Sequence, residues 1–138
     1  MEYSELTAKA QKRVEALPMM FAFSNEQFEE GCKKLGVSLQ DAKKELTSIG
    51  GGGFMKTADV PLLEQAYSRN EQERKQLLDS RPGLKSAFIY ELGNHEYCIT
   101  YDDAETWSAV GLSIKNATPF QVEVYNEART EYLEHANA

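Results

Sequence analysis

Helix-capping signals divide most of this sequence into short helices, and they constrain its fold more than any other feature. Ser24 is followed three residues later by Gln27, a spacing at which the two side chains satisfy free N–H groups at a helix start. Thr118, directly before Pro119, marks the start of a last helix. Gly36 follows the helix that begins at Ser24. Many helices end with a residue in the left-handed conformation, which glycine adopts readily. The pattern predicts a series of helices joined by tight corners.

Segments with β propensity are few and short. "ELTSIGGGGFMKT" (45–57) places four glycines between two short runs, which is typical of a hairpin. "YCIT" (97–100) also has strand propensity, and "MMFAFS" (19–24) fits either a buried strand or an extended connector. We predict an α+β, predominantly helical fold of about five or six helices, with a small β-hairpin or short sheet around residues 45–57 and 97–101.

Length and composition are those of one folded domain. The chain has 138 residues, of which 41% are hydrophobic and 27% charged, so it can bury a core without a disulfide or metal. No repeat or low-complexity segment interrupts it. We therefore expect a single globular domain over residues 1–138.

The charge balance narrows the range of partners. Asp and Glu number 22 against 15 Lys and Arg, a net charge of -7, which disfavours binding to nucleic acid through its phosphates. Acidity of this kind is typical of a soluble protein or of one that binds a basic protein partner.

The longest apolar run, residues 17–23, is too short to span a bilayer, and the first residues do not resemble a signal peptide. We expect a cytoplasmic protein with reduced cysteines, bound neither to a membrane nor to nucleic acid.

The segment "ELGNHEYCITYDD" (91–103) is the strongest candidate for a chemical site. On a helix, Glu91 lies one turn before His95, so the carboxylate can orient the imidazole. Cys98 follows three residues later if the helix continues, and a histidine beside a cysteine can stabilise a thiolate. This interpretation makes Glu91, His95 and Cys98 catalytic residues.

A structural interpretation of the same segment is also open. His95 shares an apolar stripe with Phe88 and Leu92, where a histidine commonly packs with its nitrogens bonded to a carboxylate or carbonyl. Cys98 is then a small buried hydrophobe. We expect no metal and no cofactor, because one His, one Cys and one Glu lack the paired spacing of a metal site.

The glycine segment "IGGGGF" (49–54) is a second candidate site. Backbone N–H groups of Gly51 and Gly52 could hold an anion, with Lys56 as the nearby cation and Phe54 as an apolar contact. The spacing to Lys56 is wrong for a phosphate-binding loop. The alternatives are a hairpin turn in which glycine supplies positive φ, or a mobile lid.

Aromatic residues are concentrated in the middle of the chain, and we expect most of them in the core. Some of them, especially Phe54, could instead form an exposed patch that binds a partner. A homo-oligomer that buries these rings is a further alternative.

Three segments together resemble a known group of proteins. "FAFSNEQFEEG", "IGGGGF" and "NHEYCITYD", in this order, are similar to segments of a family of small uncharacterised bacterial and phage proteins. The resemblance covers about residues 17–110. It implies a cytosolic protein of phage or mobile-element type with no known activity, so it assigns no catalytic residue.

Two functional hypotheses follow from these observations. The first is a protein-binding accessory or regulatory module without enzymatic activity, since no complete catalytic set is present. The second is a small enzyme or ligand-binding protein that uses Glu91, His95 and Cys98, with the glycine segment as a lid.

Overall fold

The fold is α+β and predominantly helical, as the sequence predicts. A computed structural model describes residues 2–136, which form eight α-helices, two 3₁₀ turns and one three-stranded antiparallel sheet. The helix count exceeds the predicted one because two of the helices have only four residues each. The helices are α1 (Tyr3–Glu15), α2 (Asn25–Leu35), α3 (Ala42–Glu45), α4 (Val60–Asp79), α5 (Arg81–Asn94), α6 (Tyr97–Thr100), α7 (Ala104–Val110) and α8 (Pro119–Ala136). The strands are β1 (Met19–Phe21), β2 (Leu46–Gly50) and β3 (Gly53–Lys56).

Contacts group the described chain into two compact units. The helical unit comprises residues 2–9 and 71–136, and the sheet unit comprises residues 10–70. Each unit has its own cluster of buried apolar side chains. A single domain over the whole chain stays a prediction.

The sheet unit is built on the predicted hairpin. β3 lies at the centre of the sheet and pairs with β2 on one side and β1 on the other. Helix α2 packs so closely on β1 that a Cβ atom at Gly31 would lie 2.4 Å from the sulfur of Met20. The buried cluster of this unit consists of Met20, Cys32, Leu35, Val37 and Ala42.

The helical unit has α5 at its centre, with α7 and α8 packed against it. Phe88 of α5 is fully buried, and its ring centroid lies 4.8 Å from that of Trp107 and 5.1 Å from that of Tyr125. Such tilted and edge-on pairs stabilise a core beyond the area they bury. None of the helices described between residues 2 and 136 is long and apolar enough to cross a membrane.

The predicted strand at residues 97–101 is wrong. Residues 97–100 form the single turn α6, in which the Tyr101 N–H donates to the Tyr97 carbonyl at 2.8 Å. A strand needs a neighbouring strand for its backbone bonds, and residues 71–136 contain none. Tyr97 is instead buried near the ring of Tyr132, with the ring centroids 6.3 Å apart, so tertiary packing overrides local propensity.

Candidate functional site

Glu91 and His95 are in contact at the end of α5. The His95 Nε2 atom lies 3.2 Å from Glu91 Oε2, the i to i+4 contact that the helical spacing suggests. Nε2 is itself buried, yet this pair does not meet the geometry of a hydrogen bond.

Two hydrogen-bond donors hold the Glu91 carboxylate. Glu91 is only 6% exposed, and its Oε1 atom accepts a hydrogen bond from the Tyr3 hydroxyl at 3.1 Å. Its Oε2 atom accepts a longer bond of 3.4 Å from the Asn94 side chain. Burial, and then the Glu91 charge, raise the pKa of Tyr3, so the hydroxyl keeps its proton as a donor. Tyr3 was not identified from the sequence, because the two residues lie 88 positions apart.

The second nitrogen of His95 meets a second carboxylate. Nδ1 lies 3.0 Å from Oε2 of Glu105, at the start of α7. Glu91 and Glu105 thus occupy opposite edges of the imidazole and cannot converge on one ion. Within residues 2–136, no group of three His, Cys, Asp or Glu side chains is arranged to hold a metal.

Cys98 lies on a different element from this pair. Helix α5 ends at Asn94, and Glu96 takes a left-handed conformation (φ 53°), so the helical spacing from His95 to Cys98 is interrupted. The Cys98 N–H donates to the Tyr132 hydroxyl at 3.4 Å. Among the described residues, no hydrogen bond joins Cys98 to His95. The three predicted catalytic residues are therefore a contacting pair and a separate thiol.

The glycine segment forms the turn of the hairpin. Gly50, Gly51 and Gly52 all have positive φ (88°, 59° and 80°), which L-residues rarely adopt. Positive φ at both loop residues, Gly51 and Gly52, is the requirement of a two-residue hairpin with a type I′ turn. The turn interpretation accounts for the glycines through backbone geometry alone.

The other predicted ligand contacts are separated from this turn. Lys56 is at the far end of β3, about 13 Å of extended chain from Gly52. Phe54 is half-buried, with its ring centroid 5.3 Å from that of Phe28 and packed on the sheet-unit core. Backbone N–H groups, cation and aromatic ring are thus not brought together at one point.

Two exposed phenylalanines lie against the glycines instead. Phe23 is 77% exposed and Phe21 is 56% exposed, although both are large and apolar. A Cβ atom at Gly52 would lie 2.5 Å from the Phe23 ring, and one at Gly53 would lie 3.0 Å from the Phe21 ring. We call these four residues the Phe pair surface. Its signal in the sequence is the alternation "FAF", which places both rings on one side of an extended segment.

One edge of the sheet continues this surface. The Ala22 N–H donates to the Gly52 carbonyl at 2.9 Å, and bonded pairs alternate along an antiparallel ladder. The backbone groups of Phe21 and Met19 therefore point away from β3. A groove of about 410 Å³ lies along β1, and its other wall is formed by Gln27, Glu30, Gly31 and Lys34 of α2.

Comparison with known proteins identifies a family but no activity. A family model described as a family of unknown function (DUF7659) matches residues 2–130. The match includes the Glu91–His95 pair and the whole of the Phe pair surface. No curated protein and no solved structure matches the chain.

Proposed function

This chain belongs to DUF7659, a family of unknown function, and we propose that it is a small protein-binding module. In this proposal it is an accessory or regulatory protein that engages its partner through the Phe pair surface. The observation that carries the proposal is the exposure of Phe21, the last residue of β1, and of Phe23, two residues beyond it, each against a glycine of the hairpin. Buried aromatic anchors dominate the energy of protein interfaces, so exposed ones mark a surface that a partner can cover.

The local geometry supports binding at low entropic cost. Phe23 rests on Gly52, where the absence of a side chain lets the ring approach the backbone. The Phe23 N–H also donates to the Gln27 side chain at 2.7 Å, which fixes the chain beside the ring. A ring held in place before binding has less conformational freedom to lose when the partner arrives.

The free edge of β1 suggests how the partner is held. Outward N–H and C=O groups at Phe21 and Met19 can pair with an extended segment, which adds a fourth strand to the sheet. Main-chain bonds of this kind supply affinity, and apolar residues of the segment would cover the two rings. We infer an extended, partly apolar segment of another protein as the ligand of this surface.

The biological setting belongs to the same proposal. The resemblance of three segments to bacterial and phage proteins supports a phage or mobile-element origin. The composition, with only two cysteines, supports a cytoplasmic location. The net charge of -7 argues against nucleic acid as the partner.

A small enzyme or ligand-binding protein is the second candidate. The observation that favours it is His95, with one carboxylate at each ring nitrogen and a buried residue, Glu91, as one of them. The position of Cys98 beside Tyr132 weighs against a thiol nucleophile in this site. Replacing His95 by Gln should abolish ligand binding with little change in melting temperature if the site is functional. A large loss of stability would instead assign His95 a structural role.

The experiment for the leading proposal compares two matched variants. Phe23→Ser removes the most exposed ring, and Leu39→Ser removes an exposed apolar side chain (54%) outside the surface. Partners captured by each full-length variant and by the wild type are quantified by mass spectrometry. We expect a protein that is retained by wild type and Leu39→Ser and lost by Phe23→Ser. Equal recovery of every captured protein by all three would overturn the proposal.

A further inference from the structure

A second surface, on the helical unit, has a different chemistry. Helix α6 presents Ile99, which is 73% exposed, and is followed by Tyr101, which is 65% exposed. Glu96 and Tyr101, at its two ends, are the non-glycine residues with positive φ in residues 2–136 (53° and 54°). Left-handed conformations cost energy for L-residues, and they persist where the surrounding structure enforces them. The backbone is thus held in a shape that leaves two apolar side chains in water.

The sequence on both sides of these residues is acidic and lacks basic residues. Residues 86–114 contain five acids and no Lys or Arg. Glu91 is buried and Asp103 accepts the Tyr125 hydroxyl, which leaves three exposed carboxylates. We define the α6 surface by Ile99 and Tyr101 together with these three acids, Glu96, Asp102 and Glu105.

The net charge of the whole helical unit is also negative. The segments 2–9 and 71–136 carry 14 acidic and 7 basic residues, a balance of 7 − 14 = −7, which equals the charge of the whole chain. Residues 10–70 carry 8 of each and are neutral. The negative potential is therefore concentrated on the helical unit, where it attracts cations and repels anions.

This charge excludes several occupants of the α6 surface. Nucleic acid and anionic lipid surfaces carry the same sign and are repelled. A second copy of the chain docked face to face would bring like charges together, which disfavours such an interface. A cationic segment that also carries apolar residues matches both the negative charge and the exposed apolar side chains. Its cations can face the carboxylates and can lie over the Tyr101 ring.

We propose that the α6 surface binds a basic, apolar-containing peptide segment of a partner protein. Carboxylates at residues 96, 102 and 105 attract and orient the segment, and contact with Ile99 supplies apolar burial. This site shares no residue with the Phe pair surface, so each of the two proposals is tested by its own set of variants.

The test uses three synthetic peptides of about eight residues with the full-length protein, measured by calorimetry at about 20 and about 200 mM salt. One alternates lysine with leucine, the second alternates glutamine with leucine, and the third alternates lysine with serine. We expect the lysine–leucine peptide to bind most tightly, and its affinity to fall by at least about threefold at the higher salt. Equal or tighter binding of either other peptide would overturn the proposal.

Matched variants locate the binding. Glu96→Gln and Ile99→Ser should each weaken the lysine–leucine peptide at least about threefold, because they remove one charge and one apolar contact. Glu64→Gln removes an exposed charge from the sheet unit, and Ile114→Ser removes another exposed isoleucine from the helical unit. Both controls should bind as the wild type does. If a control lost as much affinity for the peptide as its matched variant, the peptide would be attracted to the acidic protein as a whole. That result would overturn the assignment of binding to the α6 surface.

Discussion

Tyr3 and Glu91 form a buried hydrogen bond of 3.1 Å across 88 positions of sequence. The bond ties the start of α1 to α5 inside the helical unit, and it places a hydroxyl donor on a carboxylate that has lost most of its water. His95 then contacts the same carboxylate from the end of α5. The pair at the centre of the second functional candidate is therefore also part of the packing of the unit.

Replacing Tyr3 by Phe tests this bond. The change leaves Glu91 Oε1 without its buried donor, and an unsatisfied buried acceptor costs about 1–3 kcal/mol. We expect the free energy of unfolding, measured in urea, to fall by about that amount. Tyr90→Phe, at a ring 5.5 Å from that of Tyr3 and 45% exposed, is the control and should change stability much less. Equal losses in both variants would contradict the assigned role of the Tyr3 hydroxyl.

The glycine turn gives a second prediction. Gly51→Ala and Gly52→Ala both place a side chain at positive φ, so each should lower stability by about 1–2 kcal/mol. Only Gly52→Ala also pushes on the Phe23 ring, because the space around Gly51 is open. Shifted ring signals of Phe23 by NMR are therefore expected for Gly52→Ala alone. The same displacement in both variants would rule out the Phe23–Gly52 contact.

The two cysteines should differ in reactivity. Cys32 is 1% exposed, and burial, followed by the charge of Glu29, raises the pKa of its thiol. Cys98 is partly exposed. We expect alkylation of the native protein, measured by mass spectrometry, to modify Cys98 first. Cys32 should react only at the rate at which local unfolding of the sheet unit exposes its thiol. Faster labelling of Cys32 would contradict the packing of the sheet unit.

Stability should decline in alkaline solution. Burial, and then the hydrogen bond to Asp103, raise the pKa of Tyr125. The unfolded chain releases this proton near pH 10 while the folded chain keeps it, so the free energy of unfolding falls as pH rises above about 10. Denaturation at several pH values should show a shallower decline for Tyr125→Phe. An unchanged slope in that variant would exclude this contribution.

Local signals were sufficient to predict both ends of α2 and the start of α8. The Gln27 N–H donates to Ser24 Oγ at 3.2 Å, and Gly36 ends α2 in a left-handed conformation, as the sequence predicts. Thr118 and Gln121 exchange the two bonds of a capping box before α8. These features depend on residues three or four positions apart, so the sequence contains the whole interaction.

Features set by distant residues were not predicted. Residues 97–101 have strand propensity, but the burial of Tyr97 and two left-handed ends make them a helical turn. Tyr3 reaches Glu91 only in the folded unit. The exposure of Phe21 and Phe23 likewise depends on where β1 lies in the sheet, which composition and periodicity do not determine.

The most direct test of the central claim is site-specific photocrosslinking. A photoreactive phenylalanine analogue is placed at position 23 of the full chain, with a second protein carrying it at position 39 as the control. In cells that make the protein, we predict one discrete crosslinked partner from position 23, identified by mass spectrometry, and none of it from position 39. An absence of adducts at position 23, or the same adducts from both positions, would contradict a binding role for the Phe pair surface.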